Sequence, residues 1–283
     1  MRRKKTNFLK NFLTYLFISL LTPCYGFELL QIVPDAELQS QAVLYQQPAR
    51  LAFSNYRQLN FFYSNWYFDT KISNFGIVLP LGNIATSLDY SLIKLEDTYR
   101  TSTDETKDKI EFSNDALSFG FGTMISDVLS FGTAIKFAGQ KINWPEDSLT
   151  DSITVFDFGF IYTNFKLKQR MGIGLHNYLI SGRTDKPYET LSFSGDQKLD
   201  KFNFNWGVYL TSFATGQNKL KAGIGIEYPV ARYLKLRGGL RYQDIMSFSA
   251  GFSVGVKKIH FDYGFLHHFD LGQIHSFSVG IYF

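Results

Sequence analysis

Apolar side chains alternate one for one with small or polar ones over whole segments of this sequence, not merely over short runs. Phe202, Phe204, Trp206, Val208 and Leu210 interleave with Asn203, Asn205, Gly207 and Tyr209. Phe248, Ala250, Phe252, Val254 and Val256 do the same with Ser247, Ser249, Gly251, Ser253 and Gly255. Residues 275–283 repeat the pattern, with Phe277, Val279, Ile281 and Phe283 on one side. Successive side chains of a strand point to opposite faces, so each segment has one apolar face and one small or polar face. In a soluble sandwich the apolar faces would meet in a core. Here the alternation recurs through most of the chain, and the Phe residues on its apolar side would form a band that a monomer in water rarely exposes. The pattern therefore predicts an all-β fold, a transmembrane antiparallel barrel of the outer-membrane type whose surroundings are lipid.

Alternation bounded by turn residues places strands at 57–66, 71–81, 84–95, 110–124, 128–141, 151–163, 168–178, 187–195, 201–212, 218–228, 231–242, 246–256, 258–266 and 275–283. That is about 14, an even number, as single-chain bacterial barrels require. Tight connections at Gly82-Asn83, Ser126-Asp127, Pro229-Val230 and Lys257 alternate with long polar ones at 96–109 and 143–150. Such barrels have short periplasmic turns and longer outer loops, so the rhythm agrees with the count. The segment 187–195 has the least regular alternation. Phe283, ending the last strand, is expected to be the assembly signal read by the barrel-insertion machinery, and its deletion to lower the level of protein in the outer membrane.

Arg2, Arg3, Lys4, Lys5 and Lys10 precede an apolar run at 12–21 that ends in Thr22-Pro23-Cys24-Tyr25-Gly26. Residues 1–26 read as a signal peptide, with an uncleaved anchor or a lipidated Cys24 as the alternatives. Its removal takes away five of the 29 basic residues and none of the 25 acidic ones, leaving 24 against 25. The basic character belongs to the leader and implies no nucleic-acid partner. The single cysteine leaves with it, which excludes disulfides and thiolate metal sites. No metal and no cofactor is expected. Beyond the leader nothing approaches the roughly 18 consecutive apolar residues of a helical span.

Residues 27–55 are too irregular for a strand and too polar for a span, and the barrel is assigned to 56–283. A barrel of this size encloses more space than its own side chains fill. Residues 27–55 are accordingly expected to form a plug, a mobile periplasmic tail being the alternative. Gln47, Pro48 and Arg50 are its gate candidates, because a Pro-Ala step can hold a rigid turn.

Two stretches carry a resemblance. Ala42-Val43-Leu44-Tyr45-Gln46-Gln47-Pro48-Ala49-Arg50-Leu51-Ala52 is similar to the "aly-NPAgla" segment of the PorV/PorQ family, whose fold resembles that of the FadL channels. Leu240-Arg241-Tyr242, followed by Phe265 through Leu271-Gly272-Gln273-Ile274-His275-Ser276-Phe277, resembles the family's closing hairpin. Asp157-Phe158-Gly159 and His176-Asn177 fall where the family has its "DlG" and "rN" features. The first motif departs at Gln47, for the usual Asn, and at Arg50, for the usual Gly, a residue poorly suited to a positive φ.

The resemblance implies an outer-membrane transport or secretion component that handles hydrophobic small molecules or supports protein secretion. The alternative is a type IX secretion-linked barrel that binds or shuttles cargo without channel activity. Its partners are then outer-membrane lipid, the barrel-assembly machinery, and hydrophobic small molecules or secretion-system proteins. On the inward faces Lys221, Glu227, Lys235, Arg237, Arg241, His260 and Asp262 are candidates for the lumen or for a ligand's head group. Mutual pairing that braces the barrel is the competing role. No catalytic residue is expected. His267, His268, Asp270 and His275 lie near the outer rim, but adjacent strand residues point to opposite faces and cannot converge on one reaction centre.

Overall fold

The computed structural model describes residues 47–100, 107–144, 147–182, 189–212, 218–243 and 245–283. The leader and residues 27–46 lie outside them. Period-two alternation over this length leaves the backbone one economical solution, strands whose polar groups pair entirely with neighbours. The strands are β1 (Gln58–Asn65), β2 (Lys71–Leu81), β3 (Ile84–Arg100), β4 (Lys107–Ser126), β5 (Leu129–Asn143), β6 (Ser148–Asn164) and β7 (Gln169–Gly182). They continue as β8 (Glu189–Leu199), β9 (Phe202–Ser212), β10 (Asn218–Ala231), β11 (Leu234–Gln243), β12 (Ile245–Val256), β13 (Ile259–His268) and β14 (Gly272–Tyr282). Each pairs antiparallel with its sequence neighbours, and β1 pairs with β14 from Gln58↔Tyr282 to Asn65↔His275, closing the barrel. Just past this seam the Phe283 N–H donates to the Arg57 carbonyl at 3.0 Å.

The exterior is apolar. Phe61, Phe75, Phe119, Phe137, Leu210, Ile224, Phe252, Phe261 and Phe277 are all exposed, and ring pairs such as Phe252–Tyr263 at 5.4 Å tie neighbouring strands on that face. Phe252→Arg is expected to destabilise the barrel by about 2–4 kcal/mol if that face meets lipid near the bilayer midplane. Ser249→Arg, on the inner face of the same strand, should cost far less. Urea unfolding in lipid vesicles measures both, and equal losses would reverse the assignment of faces.

The strands outrun the sequence expectation at the outer end. The region 96–109, expected as a solvated loop, is largely a β3–β4 hairpin paired out to Arg100↔Lys107. Above a bilayer both faces of a strand meet water, so the alternation that marks a strand disappears while the hydrogen-bonded ladder continues. The rim is consequently uneven: β3 and β4 have 17 and 20 residues, whereas β11 and β12 have 10 and 12 and are joined by residue 244 alone.

The lumen also departs from a uniformly small or polar lining. Phe62, Ile72, Ile93, Ala116, Ala138, Ile153 and Val155 pack together inside the β1–β6 half, with Trp66 and Leu179 against them. Below this cluster lies the described part of the plug. A 3-10 turn, Pro48–Phe53, sits inside the barrel against β3, β4, β5 and β6, and Leu51 packs on Val78 and Ala85. Arg50 takes ordinary helical backbone there, so the lost Gly of the family pattern leaves no strained residue.

Candidate functional site

Three glycines make room for the plug. A Cβ on Gly120 would fall 2.8 Å from the Leu51 side chain, and one on Gly122 2.7 Å from both the Ala52 nitrogen and Leu51 Cβ. One on Gly132 would overlap the backbone of Pro48 and Ala49. Glycine is required where another backbone approaches a strand this closely. From this cradle Gln47 reaches across the lumen, its Nε2 donating to Ser194 Oγ at 3.0 Å and to Ser192 Oγ at 3.4 Å. Arg50 lies 3.7 Å from Asp196, which also holds Arg170 at 3.0 Å, and Arg170 stacks 5.4 Å over the Phe53 ring. Burial pushes the Arg50 guanidinium pKa below its ordinary value, and the Asp196 carboxylate opposes that shift.

Beside Gln47 runs a buried polar chain. Lys136 Nζ is 2.6 Å from Asp157 Oδ2, and the Asn177 N–H donates to Asp157 Oδ1 at 2.8 Å. His176 Nδ1 is 3.4 Å from the same carboxylate, and its Nε2 is 2.8 Å from Ser192 Oγ. Asn177 has φ 59°, and the β6–β7 register shifts between Phe156 and Phe158, so a bulge turns this stretch of backbone onto Asp157. The structure thus joins the two motif fragments, Asp157-Phe158-Gly159 and His176-Asn177. Asp157, His176 and Ser192 have the chain order of a nucleophile relay. However, Ser192 is wholly buried beneath Gln47, and the Asp157 charge is already met by Lys136. What this arrangement can do is fix the wall beside the plug.

The candidates read from the sequence separate into two groups. Arg50, Lys221, Glu227, Arg237 and Arg241, with Gln47, line a cavity of about 180 Å³ beside the plug. Lys235, His260 and Asp262 do not line it. They belong to a lattice in which Glu227 meets Lys235 at 3.0 Å and Arg237 at 3.1 Å, while Asp262 meets Arg237 at 2.9 Å and His260 at 3.2 Å. Ser253 and Ser278 donate to Asp262, and Asn203 to Glu227. Pro48 begins the plug turn and Phe283 lies exposed beside the β1–β14 seam, both away from the cavity wall. Sequence reading missed Lys136, Arg170, Ser192 and Asp196, whose only signal was that each falls on an inward phase. Gly225 borders the cavity, and a Cβ there would meet nothing closer than the Gly238 carbonyl at 3.6 Å. Among the described residues no cluster of three or more His, Cys, Asp or Glu forms a metal site.

No protein-family model matches the chain, and no curated protein matches it. Solved structures share its fold. The toluene transporter TbuX of Ralstonia pickettii superposes with a TM-score of 0.67 at 12% identity, over 86% of this chain and 93% of that one. The monoaromatic hydrocarbon channel CymD gives 0.68 at 12%, over 91% and 99%. A FadL homologue of Pseudomonas aeruginosa gives 0.61 at 11%, over 84% and 93%. At such identities the likeness concerns architecture: this chain is a FadL-like barrel. The PorV/PorQ resemblance stays with the sequence motifs.

Proposed function

We propose that this chain is a transport barrel of the bacterial outer membrane that admits small hydrophobic or amphipathic molecules through a plugged lumen. The observation that carries this reading is the cavity of about 180 Å³ held between the plug and the β9–β12 wall. Similarly folded barrels are described as toluene and monoaromatic hydrocarbon transporters, which supports the same class of cargo. The apolar exterior favours lipid as the surroundings, with delivery by the barrel-assembly machinery. No bond is made or broken in this role, so the protein is not an enzyme, and it needs no cofactor. The test is uptake of radiolabelled toluene by cells whose outer membrane lacks other hydrocarbon channels. Expression of this chain should raise the initial rate, and an unchanged rate would remove the reading.

The PorV/PorQ motifs favour a second reading, a type IX secretion-linked barrel that binds or shuttles cargo without channel activity. Affinity capture from native outer membranes in mild detergent separates the two. Stoichiometric recovery of secretion-system proteins would favour the second reading, whereas a lone barrel with a small bound molecule would favour transport.

A further inference from the structure

We propose that the tight-turn end of the barrel docks anionic phospholipid, its exposed lysines and arginines holding phosphate headgroups of the periplasmic leaflet. This surface rests on placement in an outer membrane, where tight turns face the periplasm, and not on what passes through the lumen.

Five consecutive connections around the barrel hold the cations. Lys166 and Lys168 lie in the β6–β7 turn, Lys198 and Lys201 flank the β8–β9 turn, and Arg232 lies in the β10–β11 turn. Lys257 and Lys258 make the β12–β13 turn, and Arg57 leads into β1, next in order after β14. Backbone bonds link these connections to the strands beside them. The Lys198 N–H donates to the Lys168 carbonyl at 3.0 Å, the Gly255 N–H to that of Tyr233 at 2.9 Å, and the Tyr282 N–H to that of Lys258 at 2.7 Å. The cations therefore form one arc. The β2–β3 and β4–β5 turns, at Gly82-Asn83 and Ser126-Asp127, carry none.

All eight of these side chains are exposed, and among the described residues the exposed carboxylates at this end are Asp127 and Asp200. Among the described residues none of the eight forms an ion pair. Two of them occupy backbone that suits other residues better. Lys168 has φ 49° and Lys257 φ 53°, a left-handed conformation that Gly or Asn adopts with less strain. Turn shape alone would favour one of those, and lysine adds a charge instead.

Apolar groups on the same connections select the partner. Phe165 and Leu167 interleave with the lysines of the β6–β7 turn, Tyr233 follows Arg232, and Tyr56 precedes Arg57, each more than half exposed. An acidic protein surface would match the charges and leave these rings in water. A bilayer interface takes both: aromatic side chains form a girdle at its edge, and lysine stems run along apolar surface to set their charge among the headgroups. The arc begins where the apolar exterior ends.

Electron spin resonance of the full protein in phosphatidylcholine vesicles, with traces of spin-labelled phosphatidylglycerol or phosphatidylcholine, tests the proposal. The anionic label is expected to associate about fivefold more strongly, the factor one lysine near an anionic headgroup contributes. Salt at about 1 M should remove most of that preference. Replacing Lys166→Gln, Lys168→Asn, Lys257→Asn and Lys258→Gln together should reduce it to about twofold or less. Asn suits the two left-handed positions, and heat-modifiable migration on gels verifies folding. Lys71→Gln with Lys94→Gln, at the opposite rim, should leave the preference unchanged. A wild-type ratio near one, or a ratio that survives the fourfold variant, would overturn the proposal. A ratio near one together with saturable binding of polyglutamate, lost in the fourfold variant, would reassign the arc to an acidic polypeptide. Toluene uptake decides the transport reading independently.

Discussion

Lys136→Met is expected to lower the unfolding free energy of the barrel by about 3–5 kcal/mol, because it strands a buried carboxylate. Asp157 is 1% exposed, and Lys136 at 2.6 Å is the only lysine or arginine within ion-pair distance of it among the described residues. The partners that would remain, the Asn177 N–H and His176, hydrogen-bond the carboxylate without supplying a lysine's fixed charge. Adding Asp157→Asn should restore most of the loss, since the neutral amide no longer needs a counter-charge. Urea midpoints of the wild type, the two single variants and the double variant complete the cycle. If the double variant were as unstable as Lys136→Met, the loss would belong to packing of the lysine stem and not to the charge pair.

Gly132→Val should release the plug. Its Cβ would occupy the space now held by the Pro48 and Ala49 backbone, so either the turn lifts away or the wall distorts. Overpacking of this kind costs about 1–3 kcal/mol. If that cost falls on plug docking, the undocked population rises about 5–150-fold. Cys24 is the only cysteine of the sequence, so Ser192→Cys in a Cys24→Ser chain supplies a single thiol buried beneath Gln47. Maleimide labelling of that thiol should accelerate by the same 5–150-fold factor when Gly132→Val is added. An unchanged labelling rate together with a lowered unfolding midpoint would show that the wall yields and the plug stays.

Much of this architecture was legible because its determinants are local. Period-two alternation locates strands without reference to any distant residue, and each of the fourteen expected segments overlaps an observed strand, although the irregular 187–195 stops short of the end of β8 at Leu199. The errors fell where environment and period part company. Beyond Leu95 the sequence is polar without alternation and reads as loop, although the ladder continues to Arg100. Ile93, Ile153 and Val155 point into the lumen, where the alternation rule expects small or polar groups, because half of this lumen is itself a packed core.

The candidate site was legible only in part. Charge on an inward phase marked Lys221, Glu227, Arg237 and Arg241, since a charged group on that face has the lumen as its surroundings. Nothing local distinguishes the members that line the cavity from Lys235, His260 and Asp262, which are absorbed in a lattice. That division depends on which residues of the neighbouring strands and of the plug stand beside each charge. The Lys136–Asp157–His176–Ser192 chain was invisible for the same reason: its members come from four consecutive strands, β5 to β8, and meet only through the pairing register and the β6–β7 irregularity beside Asp157.

The uneven rim has a mechanical side. At about 3.3 Å per residue and a tilt near 40°, β11 rises about 25 Å, roughly the height of the apolar band, while β4 rises about 50 Å. The inner end of β4 carries Gly120 and Gly122, which cradle the plug. The same unbroken strand therefore protrudes some 25 Å on the far side. A load applied to that protrusion is borne by a ladder of hydrogen bonds and not dissipated in a slack loop. It arrives at the plug's seat as a tilt of the strand, making β4 a lever whose short arm lies under Leu51.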